Sequence, residues 1–386
     1  MPNDYQRRAD RFRGFMKAFN PTAPPDEPIR LQLVSTELHD RLFERIAARA
    51  EIEPTSRQLV TGGIGSGKTT EILLARDLLQ SRGVQAIYIE VSRYTDLAKA
   101  TAGSLLAMLG VELVPLVKGD QTTEIRRAVK DMNAYAKGEW TVQDFEPDYG
   151  EPQVFVEGKL GAPAPWSLLQ IERMGKVLGL LLTAARVAGD VVVMFDGLDR
   201  LPNGHSFWEL VSPDLKIFRN LLIPVVLAGP WSLLYEPDSQ LDERFDRVHE
   251  LRTETYDIRL EKLQAILERR DTLMLISPDA KKQLSNASGA IIRDLITLTR
   301  DAAEEALVVG ADSIDNSHVS SAVHNLGDSY LRGLSSSQIA ALKAWIEGKS
   351  FDPAKPEILA LLTSRRVIEW KAPIYRVHPA LASVLG

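Results

Sequence analysis

The 386-residue sequence predicts an α/β protein in which a parallel sheet carries a phosphate-binding loop, followed by a helical lid and a C-terminal helix-and-hairpin domain. Three observations predict it. Gly62-Gly63-Ile64-Gly65-Ser66-Gly67-Lys68-Thr69 is a complete G-x-x-x-x-G-K-[ST] loop, set between the apolar Gln58-Leu59-Val60-Thr61 and the helically spaced stretch from Thr70 to Leu79. Continuous apolar runs then alternate with helical patterns, the form of a buried parallel sheet covered on both faces. From about Thr253 the strand signal disappears and helical spacing takes over.

Taken in order, residues 1 to 20 form an amphipathic helix, with Phe12, Phe15, Met16 and Phe19 at i, i+3, i+4, i+7 and Arg7, Arg8, Arg11, Arg13 and Lys17 around them. Asn20-Pro21-Thr22-Ala23-Pro24-Pro25 breaks it, so 1–35 is read as an arm and linker. The arm docks on its own domain or a neighbouring subunit; a membrane-surface or nucleic-acid contact is the alternative. The core spans 36–252. Val84 to Val91 is the strand after the loop, and helical patterns run to about Lys137. Around 139–166 the character changes to Trp140-Thr141-Val142 and Val154-Phe155-Val156 among Pro and Gly, read as an inserted hairpin or loop, with a disordered linker as the alternative. A helix from Leu168 to Val187 leads to Asp190-Val191-Val192-Val193-Met194-Phe195-Asp196, an apolar strand ending in an acid. Ile223 to Ala228 is another such strand. Residues 253–330 carry four helical stretches, Leu260 to Arg270, Pro278 to Ser288, Ile292 to Val309 and Ser317 to His324, which make the lid. In 331–386, three short helical stretches precede two strand-like runs between Val367 and Val377, the pattern of a winged helix.

Composition bounds the chemistry. With no cysteine, disulfides, thiol catalysis and cysteine-held zinc are excluded, which suits a reducing cytosol. The six histidines lack metal-ligand spacing and are read as structural or surface residues. The apolar region from Val177 to Phe195 is interrupted by Arg186 and Asp190, and the first residues lack an apolar segment, so neither a membrane span nor a secretory signal is expected. A cytoplasmic location follows as the expectation. A net charge of −6 argues against wholesale wrapping by nucleic acid and leaves room for a local basic patch.

Around the loop, inward-turned backbone N–H groups and the positive end of the following helix suit phosphate oxygens. The expected nucleotide contacts are Gly62, Gly63, Ile64, Gly65, Ser66, Gly67, Lys68, Thr69 and Thr70. Lys68 reaches the β- and γ-phosphates and the Thr69 hydroxyl ligates Mg²⁺. Such a loop needs a carboxylate beyond a neighbouring strand to hold the metal, and Asp196 is placed for that. Asp199 is the closest candidate to polarise the attacking water; a helix N-cap or a salt bridge to Arg200 is its structural alternative.

Val191 to Arg200 resembles the hhhh-D-G-L-D-[DER] form of the Walker B motif in STAND-type and KAP-type NTPases. Gly197 stands where classical AAA+ ATPases carry glutamate. The resemblance implies an ASCE/AAA+-like core with an Asp near the water. Leu284-Ser285-Asn286-Ala287-Ser288-Gly289-Ala290-Ile291-Ile292-Arg293-Asp294-Leu295 is similar to the S-G-G-N-P-R-D-L stretch of lid domains in archaeal origin-recognition ATPases and STAND proteins, departing from it at Ala290, Ile291 and Ile292. That implies Arg293 as the sensor 2 arginine, against a surface salt bridge. Arg244-Phe245-Asp246-Arg247 looks like an AAA+ segment that lends an arginine finger to the neighbouring subunit, which implies that role for Arg244. STAND proteins commonly lack a finger, and the rival is a pairing with a carboxylate such as Asp242. At the sensor 1 position the strand ends Ala228-Gly229-Pro230, so polar contact there rests on Ser232.

The resemblance implies an ATP-binding and hydrolysing switch that forms a homo-oligomer and controls a separate effector or sensor protein, as in multi-gene anti-phage systems. A DNA-bound loader or transposition regulator is the alternative. It would use the winged helix, where Arg365, Arg366, Lys371 and Arg376 flank the wing. A degenerate, nucleotide-locked scaffold is the third reading. The choice between ATP and GTP is open at this point.

Overall fold

The computed structural model describes residues 4–19, 42–63, 65–117, 122–137, 166–186, 190–201, 203–236, 240–251, 256–348, 356–371 and 374–386. Ile64, the Asn20 to Pro25 break and the strand-like runs of the 139–166 insert lie outside them. The chain order begins α1 (Asp4–Ala18), α2 (Leu42–Ile52), β1 (Arg57–Gly62), α3 (Lys68–Ser81), β2 (Gln85–Glu90), α4 (Ser104–Leu113), α5 (Thr123–Lys137), α6 (Leu168–Ala185) and β3 (Val191–Asp196). It continues with α7 (Gly204–Asn220), β4 (Val225–Ala228), β5 (Arg247–Leu251), α8 (Tyr256–Arg270), α9 (Pro278–Ala287), α10 (Ile292–Val308) and α11 (Asn316–Leu331). Helices α12 (Ser336–Ile346) and α13 (Pro356–Thr363), strands β6 (Val367–Lys371) and β7 (Ile374–Val377), and helix α14 (Pro379–Leu385) complete it. Two compact units result, one of residues 40–61 and 68–250, the other of 1–39, 62–67 and 251–386.

In the first unit the sheet order is β2-β3-β4-β1-β5, and the β2/β3, β3/β4 and β4/β1 pairs are parallel. All six residues of β3 are buried, which is why its sequence is apolar without alternation. Strand β4 separates β1 from β3, and because the strands are parallel the chain leaves both at the same edge. That order, with the phosphate loop leaving β1 and an acid ending β3, makes this core a parallel-sheet P-loop NTPase fold of the ASCE/AAA+ kind.

Strand β5 was not among the expected elements. Its residues Arg247-Val248-His249-Glu250-Leu251 mix charge with apolar side chains, as an outer strand does to discourage pairing with other chains. Only His249 is fully buried; its Nε2 lies 2.7 Å from Gln58 Oε1, and burial pushes its pKa down to about 4. Across the helical layer, the fully buried Asp214 on α7 accepts N–H groups of Gly103 (2.6 Å) and Leu105 (3.0 Å), so it caps α4 from another helix. Desolvation of its carboxyl pushes the pKa up to about 7.

The second unit has its own core. Phe12, Phe15 and Phe19 of the N-terminal helix pack with Leu263, Leu267, Leu284, Leu295 and Leu298 of the helical lid. Arg270 Nη1 closes the end of α1 by donating to Ala18 O at 2.7 Å. The apolar face of α1 is therefore buried within its own unit, and no described helix is long and apolar enough to cross a membrane. Strands β6 and β7 form the antiparallel hairpin, but α14 follows it, a closing helix absent from the sequence expectation. Gly327 of α11 lets α14 approach closely, since a Cβ there would stand 2.3 Å from Ala380 O.

Candidate nucleotide site

The loop closes a turn through Ser66 N–H to Gly63 O at 3.1 Å, and Gly65 and Gly67 hold φ of 80° and 107°, values that a side chain disfavours. Lys68 and Thr69 open α3. Thr69 Oγ1 donates to Asp196 Oδ2 at 2.7 Å, Tyr88 Oη donates to the same oxygen at 2.8 Å, and Gly197 N–H donates to Oδ1 at 2.8 Å. Asp196 is only 5% exposed. Its desolvation, with the Asp199 charge adding to it, raises its pKa against the pull of those three donors. Among the described residues no cation pairs with it.

The Lys68 ammonium lies 2.8 Å from Asp199 Oδ2, its side chain 4% exposed. Gly197 explains the approach: at φ 92° it turns the chain after Asp196 into the short 3₁₀ segment Leu198–Arg200, which carries Asp199 back toward Lys68. Neither structural alternative for Asp199 is the arrangement found, and Arg200 lies instead 3.9 Å from Glu90. Lys68, Thr69, Asp196 and Asp199 thus converge at the carboxyl ends of β1 and β3. Tyr88 is the addition. Its only sequence signal is position, two residues before the end of β2 and on the face it shares with Glu90, whose register partner is Asp196.

Arg293 stands in the first turn of α10, and the loop residues 62–67 group with its unit. A Cβ on Gly65 would come within 2.8 Å of Ile291 Cγ2 and 3.0 Å of Arg293 Cβ, so the Arg293 backbone lies against the loop. Gly289 and Ala290, with φ of 60° and 64°, make the tight turn that starts this helix. Asp294, the next residue, is buried and accepts from Tyr330 Oη at 2.7 Å, with His378 Nε2 at 3.2 Å and the Arg365 guanidinium also on it.

Two expectations are corrected here. Arg365 is turned inward onto Asp294, and Arg366 donates to Tyr330 O at 2.7 Å and Arg332 O at 2.8 Å, so both guanidiniums have internal acceptors. In sequence both stand in a basic segment next to the hairpin, which is why they read as flanking the wing. The pairing of Arg244 with Asp242 is not found either. The Arg244 guanidinium stacks 4.3 Å from the Trp208 ring centre and reaches Ser212 Oγ at 3.4 Å. Asp246 of the same segment holds Arg57 at 3.3 Å. Ser232 is buried in the turn after β4, where Thr61 Oγ1 donates to Pro230 O at 3.2 Å. The remaining predicted contact, Thr70, lies in the first turn of α3.

No protein-family model matches the chain, and neither does any curated protein. Among solved structures, the chain is similar to the Aeropyrum pernix ORC2 protein, solved as ADPNP–ADP complexes, at 14% identity over 96% of this chain and 97% of that one, with a TM-score of 0.49. It is also similar to Cdc6p of Pyrobaculum aerophilum at 15% identity, covering 96% and 88% of the two chains, TM-score 0.44. A third is the RuvB Holliday junction branch migration motor of Thermotoga maritima, 18% identical over 90% and 87%, TM-score 0.41.

Proposed function

We propose that this protein binds ATP with Mg²⁺, hydrolyses it, and acts as a nucleotide-controlled switch. The convergence of Lys68, Thr69, Asp196 and Asp199 at one sheet edge carries the proposal. The donors present suit the metal: a hydroxyl and a carboxylate oxygen 2.7 Å apart are hard ligands of the kind Mg²⁺ takes, and a buried carboxylate without a cationic partner calls for a counter-charge. Bound there, the metal would neutralise charge on the phosphate oxygens.

Lys68 exchanges Asp199 for phosphate oxygens, and the loop N–H groups hold the same phosphates. Asp199, relieved of its ion pair, orients a water whose oxygen bonds to the γ-phosphorus. The bond to the β–γ bridging oxygen breaks, and the water's proton passes to the carboxylate or to solvent. Arg293, whose backbone lies against the phosphate loop of its own unit, is taken as the sensor 2 arginine, and Asp294 beside it ties α10 to Arg365 and His378. Nucleotide state thereby biases the C-terminal helix-and-hairpin segment, which acts on a separate partner protein in a homo-oligomeric assembly. A DNA role through the wing is the weaker reading, because Arg365 and Arg366 are engaged internally.

Two substitutions separate the acids. Asp196→Asn is expected to weaken nucleotide binding only in the presence of Mg²⁺, and Asp199→Asn to leave binding intact while lowering turnover about 10²-fold. Equal turnover in both variants and the wild type removes the assignment. For Arg244, we expect Arg244→Ala to leave nucleotide affinity unchanged, to lower turnover, and to suppress wild-type protein when the two are mixed. Unchanged turnover at every protein concentration leaves Arg244 only its stack on Trp208, worth about 0.5–1 kcal/mol.

A further inference from the structure

We infer that Tyr88 is a metal-positioning residue, the outer partner that fixes the Asp196 carboxylate so that Asp196 and Thr69 converge on one divalent cation. The inference deepens the Mg²⁺–nucleotide reading and rests on it. Its basis is the hydrogen-bonding of a single oxygen. Asp196 Oδ2 accepts from both Thr69 Oγ1, at 2.7 Å, and Tyr88 Oη, at 2.8 Å, while Oδ1 is occupied by the Gly197 N–H at 2.8 Å. Both carboxylate oxygens are therefore held, and the donor on the sheet side is the phenol.

Strand register accounts for the reach. Tyr88 pairs with Met194 and Glu90 pairs with Asp196, so Tyr88 is the diagonal neighbour of Asp196 on one face, a separation that a tyrosine spans. Glu90, directly opposite, is drawn away by Arg93 at 2.9 Å and Ser92 at 3.0 Å and does not compete. The ring is kept in place by Arg76, whose guanidinium carbon lies 5.9 Å from its centre. Partners of this kind set the orientation of a metal-binding carboxylate, and their loss commonly weakens metal binding 10- to 100-fold.

The test uses the full chain and Tyr88→Phe, which removes the hydroxyl and keeps the ring. A fluorescent ATP analogue is titrated in EDTA and then in a Mg²⁺ series, so that metal-free affinity and the Mg²⁺ concentration giving half of the metal-dependent gain are read separately. Tyr88→Phe is expected to leave the metal-free affinity and the melting temperature near wild type and to raise the Mg²⁺ midpoint about 10-fold. Tyr88→His, which can again donate, is expected to recover part of that shift. An unchanged Mg²⁺ midpoint in Tyr88→Phe, beside a wild type that does respond to Mg²⁺, overturns this inference alone. A wild type whose nucleotide binding ignores Mg²⁺ overturns it together with the metal site. Equal weakening with and without Mg²⁺ also overturns it, because that is the signature of a structural role.

Discussion

Asp294→Ala is expected to destabilise the unit that carries the lid by about 3 kcal/mol or more, the scale for removing one partner of a buried ion pair. The carboxylate is buried, accepts from Tyr330 Oη at 2.7 Å and from the Arg365 guanidinium, and lies 3.2 Å from His378 Nε2, so its removal leaves a guanidinium without its acceptor. Arg365 itself sits at φ 64°, a backbone conformation that a non-glycine side chain adopts only when the surroundings hold it there. The sign of the pH dependence follows from the same contacts. Burial raises the Asp294 pKa, but His378, Arg365 and Tyr330 outweigh it and the net shift is downward. A carboxyl held below its unfolded value of about 4 contributes stability above that pH and loses it as the pH falls through the folded value. Urea unfolding at neutral pH should therefore separate the variant from the wild type, and the gap should narrow in acid. A difference below about 1 kcal/mol at pH 7 would mean that the cluster relaxes around its missing member.

Much of the fold and of the site was legible because its signals are local. The loop from Gly62 to Thr69 is defined by eight consecutive residues, and β3 announces itself as an unbroken apolar run closed by an acid. What escaped depends on partners distant in the chain or on backbone angles. Asp199 and Lys68 are 131 positions apart, and only the left-handed turn at Gly197 brings one back to the other. Arg365 and Arg366 look like surface cations in a basic segment, because nothing near them in sequence reveals Asp294 or the Tyr330 and Arg332 carbonyls that receive them. Strand β5 is hidden by the charges that suit an outer strand. Tyr88 reads as an ordinary strand aromatic until register sets it diagonal to Asp196.

Lys68→Ala bears most directly on the claim that this loop binds and hydrolyses ATP. The lysine opens α3 after a loop whose glycines, not its side chain, set the turn, and it pairs with Asp199. Removing the ammonium takes away the charge that receives the β- and γ-phosphates while the sheet and its apolar core are untouched. ATP turnover by the purified full chain in Mg²⁺, measured beside the Lys68→Ala variant with both shown folded by circular dichroism, is the decisive comparison. Wild-type hydrolysis is expected to be measurable and to fall about 10²-fold or more in the variant, of the order found when a preorganised charge-stabilising donor is removed. Hydrolysis by the variant at the wild-type rate would contradict the claim.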